Sequence, residues 1–174
     1  IVIESTGMFR TRPELQKHLD SGAKGVLLST PPEGSLDKMI INGINDDVLT
    51  ADDRIVSNGS SSCHALAIVL KVLNDKIGVK RATMTTVHAY TSDQQLSDSA
   101  QDNLRWSRSA AENIIPNKSW APNAVQELIP DLRGKINGMA LNVPVPAGSN
   151  MDLVIELDKP LTADEFNAVM FEAE

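Results

Sequence analysis

Apolar and polar positions change period several times along this chain, and each change marks an element. Ile1-Val2-Ile3, followed by Ser5, Thr6 and Gly7, reads as a short buried strand with small polar residues at its carboxyl end. Thr11-Arg12-Pro13 supplies a helix start, with Thr11 as the cap and Glu14 three residues on. Leu15, His18 and Leu19 keep a helical spacing, Gly22 ends it, and the run KGVLLST is the next buried strand. Strand, helix, strand in this order predicts a parallel crossover unit. Pro31 to Gly34 form a loop, and KMIINGI and RIVSN are two further strands. Residues 1–57 thus have the pattern of the end of an open α/β sheet, where ligands gather beyond the carboxyl ends of strands.

The pattern changes at Ser60. Ser60, Ser61 and Ser62 precede the apolar face Leu66, Val69, Leu70 and Leu73, which predicts a helix entered through a hydroxyl cap. Gly78 closes it, and RATMTTVHAYT has the β-branched content of a strand. From Ser92 to about Trp120 no period is sustained, and a polar loop this long in a compact domain is usually functional or disordered. A helix over Asn123–Leu128 is followed by two strand-like stretches, INGMALNVPVP and NMDLVIELDK, which are expected to pair with each other. Thr162 with Glu165 is a capping-box spacing for a last helix from Ala163. Ile1 lies inside an apolar run and FEAE ends a helical pattern, so both ends read as cut and the chain as a fragment.

Composition narrows the function classes. The 174 residues carry 16 Lys and Arg against 23 Asp and Glu, a net charge of −7, which argues against binding nucleic-acid phosphates or a membrane surface. No stretch approaches the roughly 18 apolar residues of a membrane helix. The one cysteine, Cys63, excludes an intrachain disulfide and fits a reducing compartment. Cys63-His64 is too short a pair to count as a metal site without further ligands.

Four segments bear more specific information: IVSNGSSSCH, TMTTVHAYTSDQ, RSAAENIIP and GMALNVPVP. In order and spacing they resemble the phosphorylating glyceraldehyde-3-phosphate dehydrogenases, whose matching pieces read roughly IVSNASCTTNC, TTVHSYTNDQ, RAAAENIIP and GMAxRVPTP. The IESTGMF start and the LLSTP strand also resemble the last strands of that family's NAD domain. The resemblance implies residues 1–60 as the end of a Rossmann-type NAD-binding domain. Residues 61–174 would then be a catalytic domain built on a mixed and antiparallel sheet, incomplete at its carboxyl end. It further implies an NAD-dependent aldehyde oxidoreductase of glycolysis, with NADP left open, taking a small aldehyde and inorganic phosphate, cytoplasmic and homotetrameric.

By the same resemblance, Ser61 occupies the place of the family's nucleophilic cysteine, and His88 that of the histidine that activates it. Cys63 would need a two-residue slip, about 200° around a helix, to take over. A thiol of pKa about 8.5 is readily ionised beside a cation or helix N-terminus, whereas a serine hydroxyl needs a strong adjacent base. Thr6, Gly7 and Phe9 match the adenosine and ribose side of the cofactor cleft, and Ser29 and Thr30 the turn toward nicotinamide. Ser60, Ser62, Thr91, Asp93, Arg108 and Ser119 match substrate and phosphate positions. Asn142 stands where the family has an arginine, and Trp120 where it has a glycine. Reduced or altered activity is therefore expected. A catalytically inactive homologue acting as a binding or assembly subunit, and a dehydrogenase of a different aldehyde, both stay open.

Overall fold

A computed structural model describes residues 1–173; Glu174, the last position of the expected catalytic domain, lies outside the described residues. Strand β1 (Val2–Glu4) leads through helix α1 (Arg12–Asp20) to β2 (Val26–Leu28), and the two strands pair in parallel with Val2 opposite Val26. The Glu14 carboxylate accepts from the Arg10 and Thr11 backbone N–H groups and from the Thr11 hydroxyl, so the helix start read from Thr11-x-x-Glu14 forms. Two short strands, β3 (Lys38–Met39) and β4 (Ile55–Ser57), complete a four-stranded parallel sheet in the order β1-β2-β4-β3. Leu15 of α1 packs with Val26, Leu28 and Ile55 in its core.

The strand expected over KMIINGI stops at Met39. Asn45 folds back on it: the Ile41 N–H donates to Asn45 Oδ1 at 2.9 Å, and Asn45 Nδ2 donates to the Met39 carbonyl at 2.9 Å. One amide thus satisfies the backbone groups that a longer strand would have offered to a neighbour. The chain turns at Gly43, whose φ of 78° a side chain rarely adopts, and enters a short 3-10 helix at Asp46–Val48.

The long helix α2 (Ser61–Lys76) then delivers the chain to β5 (Val79–Ala89), the longest strand. Strand β6 (Ile115–Lys118) lies inside the stretch read as loop; helix α3 (Ala121–Leu128) begins two residues before its expected start. β7 (Ile136–Val143), β8 (Ser149–Leu157) and helix α4 (Ala163–Phe171) follow. The sheet order is β6-β7-β5-β8. β7 and β8 do not pair with each other as expected: β5 lies between them, parallel to β7 and antiparallel to β8. With β7 and β8 paired to each other, β5 could join only at an outer edge, leaving one side of an eleven-residue strand without a partner; lying between them, it uses both edges.

One face of this sheet and the helices α2 and α3 enclose the larger core, with Leu66, Leu70, Leu73, Val125, Met84 and Ile136 buried. Gly138 permits the contact. A Cβ there would lie 2.6 Å from the Met84 carbonyl oxygen and 3.1 Å from Pro122 Cγ, so α3 sits against the strand where the side chain is missing.

Candidate functional site

The carboxyl ends of both sheets meet at the amino end of α2, and the turn joining them is tied down on every side. Asn58 donates its N–H to the Leu28 carbonyl at 2.9 Å and its side-chain amide to the Ile40 carbonyl at 3.0 Å. Its own carbonyl lies 2.7 Å from His64 Nε2, and a carbonyl only accepts, so that nitrogen carries the proton. The Ser57 hydroxyl donates to the Thr30 carbonyl and accepts from the Gly59 N–H. Ser60 caps α2, its Oγ accepting from the Cys63 N–H at 3.2 Å.

Successive helix residues turn by about 100°, so the three residues after the cap face three environments. Ser61 is exposed and lines a cavity of about 490 Å³ with Ser29, Asn58 and His64. Ser62 turns to a second cavity of about 260 Å³, where its Oγ lies 3.4 Å from His88 Nε2. Cys63 is wholly buried in the core, and burial pushes its thiol up to about 12. The hydroxyl that the histidine meets is therefore that of Ser62, one residue past the position aligned with the family's nucleophile.

His88 reaches this cavity by the period of two in its strand. Ala82, Met84, Thr86 and His88 share the core face of β5, opposite Ile136, Gly138, Ala140 and Asn142 of the parallel β7. The face changes from apolar to polar as both strands run out toward the α2 terminus. Asn142 Oδ1 is buried and has no hydrogen-bond partner among the described residues.

The remaining residues expected at substrate positions divide. Ser60, Thr91, Asp93 and Ser119 converge on the His88 cavity, with Trp120 in the same wall. The Thr91 hydroxyl donates to the Asp93 carboxylate, and its backbone N–H donates to the Gln94 side chain at 3.1 Å. Arg108 does not join them: it is exposed and pairs with Asp98 at 3.1 Å.

The cofactor candidates sit at adjacent strand ends, Thr6, Gly7 and Phe9 after β1 and Ser29 and Thr30 after β2. Gly7 has a φ of 75° and open space where a Cβ would lie. The Thr30 hydroxyl is buried without a partner among the described residues. An unfilled hydroxyl and a bare backbone at the sheet edge suit close approach of a dinucleotide.

Three residues of the neighbourhood escape sequence reasoning. Glu4, only 3% exposed, accepts from the Thr6 N–H at 2.7 Å, from the Thr6 hydroxyl and from His18 Nε2 at 3.1 Å; the Thr6 bonds above all hold its carboxyl below the ordinary value. A charged residue in an otherwise apolar strand was the available signal. Thr86 could have been found by stepping back two residues from His88. Nothing local marks Asn58 as a three-way tie.

A parallel sheet with hydroxyl-bearing strand ends, joined at a helix terminus to a mixed sheet bearing a histidine, defines an α/β protein with a candidate site where the two sheets meet. The family model described as "Glyceraldehyde 3-phosphate dehydrogenase, C-terminal domain" matches residues 60–174, and the chain belongs to that family. It is 48% identical over 174 residues to glyceraldehyde-3-phosphate dehydrogenase 1 of Bacillus subtilis, covering 99% of this chain and 52% of that one. To the Priestia megaterium enzyme it is 47% identical over the same coverage, and to that of Mycobacterium avium 44% over 168 residues, 97% of this chain and 49% of the relative. The chain thus spans about half the length of these curated relatives.

Proposed function

We propose that this chain supplies part of an NAD-dependent aldehyde oxidoreductase of the glyceraldehyde-3-phosphate dehydrogenase type, with phosphorylating turnover well below that of a cysteine enzyme. Residues 1–60 serve as the end of the cofactor domain and 61–174 as the catalytic domain, in a cytoplasmic homo-oligomer of glycolysis. Family membership supports the reaction class, and the Ser62–His88 contact at the α2 terminus is the observation that carries the site.

Thr6, Gly7, Phe9, Ser29 and Thr30 would hold the dinucleotide, which when bound supplies the hydride acceptor. His88 Nε2 lies within reach of a hydroxyl at the helix terminus and takes its proton, or that of a hydrated aldehyde, as carbonyl chemistry proceeds. The α2 amino end favours negative charge developing on the carbonyl oxygen. Ser61 keeps the nucleophile's position with a hydroxyl, a far weaker nucleophile than a thiolate, and Cys63 is buried with its pKa raised and offers no substitute. That burial also favours the second reading, an inactive subunit kept for binding or assembly.

The deciding measurement follows NADH absorbance with glyceraldehyde 3-phosphate, NAD and phosphate in the full chain, against Ser61→Cys. We expect the cysteine variant to exceed the parent by at least about 100-fold, a barrier difference of ~2.7 kcal/mol. A parent that turns over measurably and as fast as its cysteine variant overturns the assignment of Ser61. Equal inactivity of both, with NAD still bound, favours the assembly subunit.

A further inference from the structure

Asparagine followed by glycine occurs three times in the chain, at Asn42-Gly43, Asn58-Gly59 and Asn137-Gly138. The pair has a chemistry of its own, because a glycine nitrogen has no side chain beside it to hinder attack on the preceding side-chain amide. The fold treats the three pairs differently. Asn58 is tied by its N–H to Leu28 and by its side-chain amide to Ile40, and Gly59 is buried with its N–H donated to the Ser57 hydroxyl. Asn137 and Gly138 lie within β7, in register with Thr83 and Met84 of β5. Closing an imide ring at either pair would dismantle the turn before α2 or the sheet ladder.

Asn42 and Gly43 are the exposed centre of a turn closed by the Ile44 N–H on the Ile41 carbonyl at 3.0 Å. Among the described residues the Asn42 side chain makes no hydrogen bond, and a Cβ on Gly43 would meet nothing within 4 Å. The Gly43 N–H carries the proton that has to leave, and it donates to Asp46 Oδ1 at 2.7 Å. That is the reach of a general base.

We propose that Asn42-Gly43 is a self-modification site, where Asp46 assists the turn in converting its own asparagine to isoaspartate and aspartate. Asp46 accepts the Gly43 amide proton as that nitrogen bonds to Asn42 Cγ, the Cγ–Nδ2 bond breaks, and ammonia leaves with the proton. Water then opens the cyclic imide, its hydroxyl adding to a carbonyl and its proton going to the nitrogen. Opening at Cγ gives aspartate; opening at the main-chain carbonyl gives isoaspartate, with the backbone routed through the former side chain. In sum, an amide and a water become a carboxylic acid and ammonia. The isoaspartyl form lengthens the backbone by a methylene inside the span from Ile41 to Asn45, so the bond from the Ile41 N–H to Asn45 Oδ1 has to loosen.

Peptide mapping by mass spectrometry of the full chain, aged at neutral pH in heavy-oxygen water, reads all three pairs in one sample. In the folded chain, amide loss at Asn42 is expected to be at least about 10-fold faster than at Asn58 or Asn137, with isoaspartate among the products. Amide hydrogen exchange at Ile41 should quicken in the isoaspartyl form. Asp46→Asn should slow Asn42 by about 10-fold, less than the loss of an enclosed base would cost, because Asp46 is exposed. Denaturant reads the same contribution without a variant, so a misfolded D46N leaves the test intact: away from Asp46, Asn42 should slow while the other two pairs quicken. Equal rates at the three pairs in the folded chain, aspartate at Asn42 without isoaspartate, or an Asn42 that reacts faster in denaturant than in the fold overturns the proposal.

Discussion

Replacing Glu4 by Gln removes one charge and almost no volume, from a carboxylate that is 3% exposed and accepts from Thr6 and His18. Hydrogen bonds to a charged group contribute about 1.5–3 kcal/mol each, and the glutamine keeps one acceptor oxygen while presenting an N–H₂ to donors. The expected loss at pH 7 is about 2–3 kcal/mol, read from urea unfolding of the full chain. The pH dependence has a definite sign. The folded-state pKa of Glu4 lies below its ordinary 4.5, so its contribution is fully present above pH 4.5 and is lost as pH falls through the lowered value. The gap between parent and variant should therefore narrow in acid, because a protonated Glu4 resembles glutamine. Thr6 hangs from this carboxylate by its N–H and hydroxyl, and the Met8 N–H donates to the Thr6 oxygen, so amide hydrogen exchange at Thr6 and Met8 should quicken in the variant. A loss below about 0.5 kcal/mol at pH 7, or a gap unchanged down to pH 3, would refute the view that the charge holds this turn.

Other outcomes follow from close packing and burial. Gly138→Ala places a Cβ 2.6 Å from backbone oxygen, so the strand or α3 must shift; a cost of about 1–3 kcal/mol is expected in thermal melts, and an unchanged melting temperature would contradict the close approach. With its pKa pushed up to about 12 and no exposed surface, Cys63 should resist a thiol reagent at pH 8 in the folded chain and react promptly in denaturant. Labelling of the native protein at the rate of a free thiol would show that the site opens.

The local elements were legible because each rested on interactions between residues near in sequence. Thr11-x-x-Glu14 and Thr162-x-x-Glu165 are capping arrangements, and in both the carboxylate reaches back to the cap N–H. Leu66, Leu70 and Leu73 recur at helical spacing and all are buried. Strand pairing was not legible in this way. β7 and β8 look like a hairpin because they are neighbours in sequence, yet β5 lies between them by virtue of its length and its two available edges. Asn45 ended β3 through a side-chain bridge that hydropathy does not record.

At the site, the order of residues along the chain was enough to bring out family membership and to single out Ser61, His88 and Asn142 as candidates. Those are matters of identity and spacing, and spacing survives translation into any fold. Which serine faces the histidine was decided in three dimensions. The α2 cap at Ser60 sets the rotation of the helix, and 100° per residue sends Ser61 to one cavity, Ser62 to His88 and Cys63 into the core. The parallel register of β5 and β7 likewise sets Asn142 beside His88, from a segment more than fifty residues downstream. Arg108, which the resemblance placed among the substrate and phosphate positions, is instead paired with Asp98 on its own loop, in an exposed ion pair that the folded loop presents.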